Sequence, residues 1–420
     1  MSRSVTVPNV PRPADSVDDF AAVSGPSATG SLRVALVHHW LVGMRGGEKV
    51  LAALCALHPQ ADIYTLVCDP RRIDEPIRRH RIVTSFIQRL PFGRRHFRVY
   101  LPLFPMAAEQ FDLSDYDLVI SSDASVIKGV LTRPDTPHIC YCHSPPRYVW
   151  DLYHTYRREG TSGVLQQRLM APVLHYLRLY DAIAARRVTR FVANSRAVAA
   201  RIARFYQCPA DVIYPPVDTG FFGEARRRPE DFYLFVGHLT AYKRPALAVA
   251  ACAALGRRLL VVGDGPQRRA LARRRASGVQ FAGWVSNERL REYYARCRAL
   301  LFPGEEDFGI VPVEAQAAGV PVIAFDRGGA RESVRDGETG LLFARPDVEG
   351  LTEAIRRFES QEAGFDPLRC RENARRFDRS IFLNRMRDLT GRLLRRAKMP
   401  PLPDPRSRCL LYTSPSPRDS

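Results

Sequence analysis

Two glutamates, Glu306 and Glu314, stand with seven residues between them in the run PGEEDFGIVPVEAQAA, Pro303 to Ala318. Pro312 suits the first turn of a helix, where its missing N–H costs nothing. A helix starting there leaves the amides of Gly309, Ile310 and Val311 open toward an anion. Gly309 lets a ligand approach the backbone closely. Glu314, in the first helical turn, would face that pocket and can accept hydrogen bonds from a ribose diol, while Glu306 sits in the loop above, nearer a sugar. Read alone, the pair is equally a helix-favouring acid and a surface loop charge.

A lysine adds a second signal. Four of the 63 basic residues are lysines (Lys49, Lys128, Lys243, Lys398) and the rest are arginines, so a lysine here marks a place for a compact ammonium. Lys243 lies in FVGHLTAYKR, Phe235 to Arg244, which ends a strand and opens a helix. The helix dipole disfavours a cation there unless an anion sits between them. A charge-assisted hydrogen bond to phosphate contributes roughly 1.5–3 kcal/mol, enough to offset that cost. A solvated surface lysine is the plain alternative.

Directly after the first apolar run comes Gly43-Met44-Arg45-Gly46-Gly47-Glu48. Its glycines allow backbone amides to reach a phosphate or sugar at a helix start, and Arg45 adds a cation. The spacing is not G-x-G-x-x-G and no Walker A lysine follows, which argues against a dinucleotide enzyme or an ATPase. In HICYCHSPPRYVWD, His138 to Asp151, His143 falls just past a strand end and before a Pro-Pro turn. Asp123 and Lys128 follow another strand end. Asp115-Tyr116-Asp117 matches a metal-binding D-x-D pattern, but it precedes its strand, the wrong end for a ligand, so no metal is expected.

The elements that must hold these residues alternate. Leu32–Val42, Ala61–Cys68, Asp117–Ser121, His138–Cys142, Arg190–Ser195 and Asp211–Val217 read as strands, with helices over Glu48–Leu57 and Arg196–Tyr206. After Tyr214-Pro215-Pro216-Val217-Asp218 the alternation restarts. The strands are Phe232–Leu239, Arg258–Val262, Val279–Ala282, Ala299–Phe302 and Val320–Phe325; the helices are Pro245–Leu255, Gln267–Ala276, Asn287–Cys297, Pro312–Ala318 and Val348–Phe358. The class is α/β, with two Rossmann-like doubly wound domains facing across a cleft and ligands at the carboxyl ends of the strands. The expected layout is a disordered leader at 1–30, an acceptor-binding domain at 31–216 and a nucleotide-sugar domain at 217–379. A helix at 380–397 would pack back on the first domain, and 398–420 reads as a disordered, artefact-like tail.

Composition narrows the class. Hydrophobic residues are 45% and charged residues 25% of the 420, enough for a sizeable core. No apolar run reaches the ~18 residues of a spanning helix. Nine scattered cysteines without a CxxC suit reduced thiols in the cytosol. The net charge of +19 favours anionic partners. Stacking aromatics on a basic sheet and base-reading helices are missing, so nucleic acid is not expected. Arg78–Pro105 mixes seven arginines with apolar residues such as Phe86, Phe92 and Phe104 in a pattern suited to an anionic membrane interface, or to a surface loop packed on its own domain.

Taken together, PGEEDFGIVPVEAQAAGVPVIAFDRGGARESV, FVGHLTAYKR and HSPPRYVWD resemble the family 4 glycosyltransferases of the GT-B fold, most nearly the bacterial mannosyltransferases of polysaccharide and O-antigen assembly. The resemblance covers about residues 32–397. It implies that Lys243, with Arg244, neutralises a donor diphosphate, that Glu314 binds the ribose and that Glu306 approaches the transferred hexose. The amides of Phe308, Gly309, Ile310 and Val311 would hold sugar hydroxyls and phosphate. Gly46 and Gly47 would face sugar–phosphate and acceptor, and His143 the sugar. His238 stands where many members carry an arginine, which leaves the second diphosphate cation to Lys243 and Arg244 or to a protonated His238. The implied reaction is retaining, metal-independent transfer of a hexose, with GDP-mannose as donor and a lipid-linked or polysaccharide acceptor, at the inner face of the cytoplasmic membrane. UDP- or ADP-hexose on the same scaffold, and a non-catalytic nucleotide-sugar binder, are the alternatives.

Overall fold

The computed structural model describes residues 32–154, 164–273 and 276–397, so the leader at 1–30 and the tail at 398–420 lie outside the described residues. Among the described residues thirteen strands form two wholly parallel sheets. The first comprises β1 (Val34–His38), β2 (Asp62–Thr65), β3 (Ile82–Thr84), β4 (Leu118–Asp123), β5 (His138–Cys142), β6 (Arg190–Ala193) and β7 (Ala210–Val212), in the order β3-β2-β1-β4-β5-β6-β7. The second comprises β8 (Tyr233–Val236), β9 (Leu259–Val262), β10 (Val279–Gly283), β11 (Leu300–Phe302), β12 (Val322–Phe325) and β13 (Gly340–Phe343), in the order β10-β9-β8-β11-β12-β13.

β1, β4 and β5 are buried at every residue. Val34–Val37, Leu118–Ile120 and Ile139–Cys142 are apolar with little alternation, as a parallel sheet covered on both faces requires, and the polar Ser121, Ser122 and Asp123 fall at the carboxyl end of β4. One face packs Leu36, Ile63 and Ile120 against Leu51 and Leu54 of the Gly46–Leu57 helix. The other packs Val37 and Val119 against Phe104, Leu177 and Tyr180. In the second lobe, Phe235, Val261 and Ile323 pack with Leu351, Ile355 and Phe358 of the Val348–Gln361 helix.

Local signals set the helix starts. Ser195 accepts the Val198 N–H at 3.1 Å and opens the Arg196–Tyr206 helix. Glu48 accepts the Arg45 N–H at 3.0 Å, half of a capping box, and opens Gly46–Leu57.

The chain passes between the lobes twice, at neighbouring points. Val217 and Asp378 form a parallel bridge, with Val217 N–H donating to Phe377 O at 3.1 Å and Arg379 N–H to Val217 O at 2.9 Å. The Arg379–Ala397 helix then lays Phe382, Met386 and Leu389 into the first lobe's core, and the Phe382 ring meets Tyr141 edge-on at 5.7 Å.

Several elements differ from expectation. Pro312 is the third residue of its helix, which begins at Ile310. Strands β3 and β13 and the helices Val164–Ala184 and Pro367–Arg375 were not anticipated. Arg78–Pro105 is not an open loop: Ile87, Phe97 and Phe104 are buried, and of its large apolar residues only Phe92, Val99 and Leu103 are exposed. Part of the expected Gln267–Ala276 helix falls outside the described residues; Arg268–Arg273 is helical.

Candidate active site

Each candidate follows the carboxyl end of a strand: His39 and the glycine loop after β1, His143 after β5, Gly237 to Lys243 after β8, and Pro303 to Gly309 after β11. Lys243 closes a single 3-10 turn, Ala241–Lys243. Its Nζ lies 2.7 Å from Glu306 Oε1, and both side chains are more than four-fifths buried. Burial works against the Lys243 ammonium, but Glu306, with Tyr242, more than offsets it and holds the pKa above the usual lysine value. Gly304 makes this approach possible. A Cβ there would fall 2.7 Å from Lys243 Cα, a distance no side chain tolerates.

The acidic loop divides its charges. Glu306 turns toward Lys243, while its neighbours reach the other lobe. Arg147 NH1 lies 3.6 Å from Asp307 Oδ1 and donates to Glu305 O at 3.4 Å, and Arg201 pairs with Asp307. Gly309, with φ 83°, turns the chain into the Ile310–Ala317 helix. That conformation favours glycine, and a Cβ would meet Phe302 Cζ at 2.8 Å. Phe308 is a core anchor, its ring against Tyr214 and Phe377.

Glu314 is buried on the first turns of that helix and accepts from Tyr294 Oη at 3.3 Å. Its other oxygen is 2.6 Å from Nζ of Lys49, across the cleft. Gly46 touches the same helix: a Cβ on it would lie 3.2 Å from Ile310 Cδ1. Gly47 instead faces the first lobe's histidines, its Cβ position 3.5 Å from His38 Cε1 and 3.6 Å from His143 Nε2.

His143 bonds Ser122 Oγ through Nε2 at 2.8 Å, and its carbonyl accepts from Asn194 Nδ2 at 2.8 Å. With His38 and His39 it forms a buried group whose pKa values burial pulls down, to about 3 for His143 and His39 and about 4 for His38. Lys128 pairs with Asp123 at 3.2 Å and with Asp181, and all three side chains are buried within the first lobe.

Two predicted cations behave differently from Lys243. Burial, then Arg45, holds the His238 imidazole below its ordinary value, and Lys243 and Arg98 add to the effect. Arg244 is left-handed, φ 51°, and its guanidinium lies over the Phe325 ring at 4.8 Å with NH1 3.5 Å from Pro303 O. Asp115 and Asp117 sit before β4 and bind Arg33, at 3.5 Å to its guanidinium and 2.9 Å to its N–H.

Sequence reasoning missed the residues that join the lobes. Besides Lys49, Arg147 and Arg201, Glu332 accepts the N–H groups of Arg196 and Ala197 at 2.9 and 3.1 Å and the Tyr214 hydroxyl at 3.0 Å. An acid at a helix start is favourable, but this one comes from more than a hundred residues away, beyond any local signal.

The arrangement gathers an ammonium, two carboxylates and an open helix start where two sheets' strands end, which suits a phosphorylated, hydroxyl-rich ligand. Residues 44–221 match the model described as Glycosyltransferase Family 4, and residues 218–377 that of Glycosyl transferases group 1. A D-inositol 3-phosphate glycosyltransferase of Acidothermus cellulolyticus is 33% identical over 237 residues, 49% of this chain and 52% of that protein, so the match spans about half the relative's length. The sucrose-phosphate synthase of Thermosynechococcus elongatus superposes with a TM-score of 0.67 at 20% identity, over 87% of this chain and 100% of that one. HepE of Anabaena, solved with UDP, gives 0.61 at 16% identity, over 86% and 100%. The two domain models together span residues 44–377 of this pair of sheets, and the chain belongs to the family 4 glycosyltransferases of the GT-B fold.

Proposed function

We propose that the chain transfers a hexose, with retention of configuration, from a ribonucleoside diphosphate sugar to a lipid-linked or polysaccharide acceptor. The observation that carries this reading is the Lys243–Glu306 pair at 2.7 Å beside the open first turn of the Ile310–Ala317 helix, with Glu314 on that helix. Breaking the sugar–phosphate bond builds negative charge on the departing diphosphate. Lys243 and the amides at Gly309 to Val311 stabilise it, and losing one such donor typically costs about 2.7–4 kcal/mol of transition-state stabilisation. Glu306 receives hexose hydroxyls, Glu314 the ribose diol, and His143, neutral at pH 7, the sugar from the opposite lobe.

The acceptor hydroxyl attacks the anomeric carbon from the face the diphosphate leaves. Its proton passes to a phosphate oxygen, the C–O bond to phosphate breaks, and the glycosidic bond forms. No metal is required on this reading, because the ammonium and amides supply the positive potential; full turnover in EDTA is the expected result. The sequence resemblance points to GDP-mannose, while UDP in HepE supports a uridine donor as the second reading.

Phe92 and Val99, both about three-quarters exposed, with Arg94 and Arg95 between them in the chain, suit a peripheral contact with an anionic membrane that holds the acceptor. Among the described residues no helix is long and apolar enough to cross a membrane. Incubation with labelled GDP-mannose, UDP-glucose and ADP-glucose and a lipid-linked acceptor tests the proposal by product mass. Absence of a glycosylated product with every donor overturns it.

A further inference from the structure

A diphosphate carries more than one negative charge, so one ammonium already paired with an acid is a poor match for it. In the second lobe the supply of cations is thin. Lys243 shares its charge with Glu306 at 2.7 Å. Arg244 is held over Phe325 and beside Pro303 O. His238 is kept neutral by burial and by neighbouring cations. The first lobe supplies what is missing. Arg45 caps the Gly46–Leu57 helix, and the next residue, Gly46, lies against Ile310 at the open start of the donor-side helix. The Arg45 guanidinium is exposed and makes no ion pair among the described residues. Its charge is nonetheless felt at both His238 and Lys243. Arg98 also reaches His238, but its guanidinium is held over the rings of Phe97 and Trp40, at 5.3 and 5.9 Å.

We infer that Arg45 binds the donor diphosphate from across the cleft, so that the phosphate clamp is made of Lys243 from one lobe and Arg45 from the other. The clamp then forms only when the lobes are together, and the diphosphate itself becomes part of what holds them. An arginine suits this place, since its planar fork can take two phosphate oxygens at once. This inference rests on the proposed donor reading.

The test uses the full chain and isothermal titration with UDP and with GDP. Arg45→Ala keeps the backbone N–H that binds Glu48, so the helix cap survives, and thermal melting checks that the fold is intact. The expected result is a Kd raised about ten- to a hundredfold for whichever nucleotide binds, with a shallower salt dependence. Arg45→Lys recovers part of the affinity. Arg45→Ala combined with His238→Arg recovers more, because a cation is restored to the same phosphate. Affinity within twofold of wild type in Arg45→Ala overturns the inference. If Lys243→Ala loses the nucleotide while Arg45→Ala keeps it, only the cross-cleft clamp fails. If the wild-type chain binds neither nucleotide, the donor reading fails and the inference with it.

Discussion

Lys49 Nζ lies 2.6 Å from Glu314 Oε1, joining the first helix of one lobe to the buried helix start of the other. Glu314 leads the causes that raise the Lys49 pKa, ahead of the opposing burial. Glu314 is 3% exposed while Lys49 is 38%, so water screens one end of the pair. Removing one partner of a fully buried pair costs about 3–5 kcal/mol, and that exposure reduces the figure to roughly 1–2 kcal/mol here. Lys49→Met should therefore lower the urea midpoint measurably, whereas Lys49→Arg should not. Equal midpoints for Met and wild type would show that the pair contributes nothing to closure.

Lys243→Ala and Glu306→Gln attack the proposed reacting centre. Each should lower kcat at least a hundredfold, the scale set by losing one transition-state hydrogen-bond donor or acceptor, with an unchanged far-ultraviolet spectrum. Lys243→Ala should also raise the donor KM. A variant turning over at the wild-type rate would remove its residue from the mechanism.

The buried histidines make stability depend on pH. With folded-state values near 4 for His38 and 3 for His39 and His143, against 6.5 when exposed, the unfolded chain takes up protons first as pH falls. Stability is full above about 6.5 and declines below it, each histidine adding up to about 1.4 kcal/mol per pH unit. Urea midpoints at pH 8, 7, 6 and 5 should be level and then drop. His38→Leu should flatten the drop, since neither of its ring nitrogens has a hydrogen-bond partner. A midpoint higher at pH 5 than at pH 7 would contradict the argument.

Gly304→Ala places a methyl group 2.7 Å from Lys243 Cα and must push the acidic loop away. About 1–3 kcal/mol of stability should go. Activity should fall by more than the folded fraction does, because Glu306 is displaced from Lys243. Proportional losses of activity and folded protein, measured together, would rule out a positional role for that loop.

Much of this architecture can be read along the chain, and the unread part has physical causes. β5 and the Arg196–Tyr206 helix begin and end where expected, because a continuous apolar run and a serine cap are local signals. β3 hides among arginines as a three-residue strand, and Val164–Ala184 carries Pro172 in its interior, which disguises a helix. The site shows the same division. Lys243 and Glu306 do meet, but Arg244, next in sequence, is drawn to Phe325 by a left-handed turn that a one-dimensional pattern does not encode. Lys49, Arg147, Arg201 and Glu332 find partners in the opposite lobe, where spacing along the chain carries no information.

The Arg379–Ala397 helix has a consequence for biosynthesis. Phe382, Met386 and Leu389 complete a core whose other members lie mostly in the first two hundred residues to be translated. A ribosome delivers those early residues long before their last packing partners emerge, so the amino-terminal lobe waits with an uncovered apolar face until the Arg379–Ala397 helix has been made. A nascent chain stalled ahead of Phe382 should be far more protease-sensitive in that lobe than the released polypeptide.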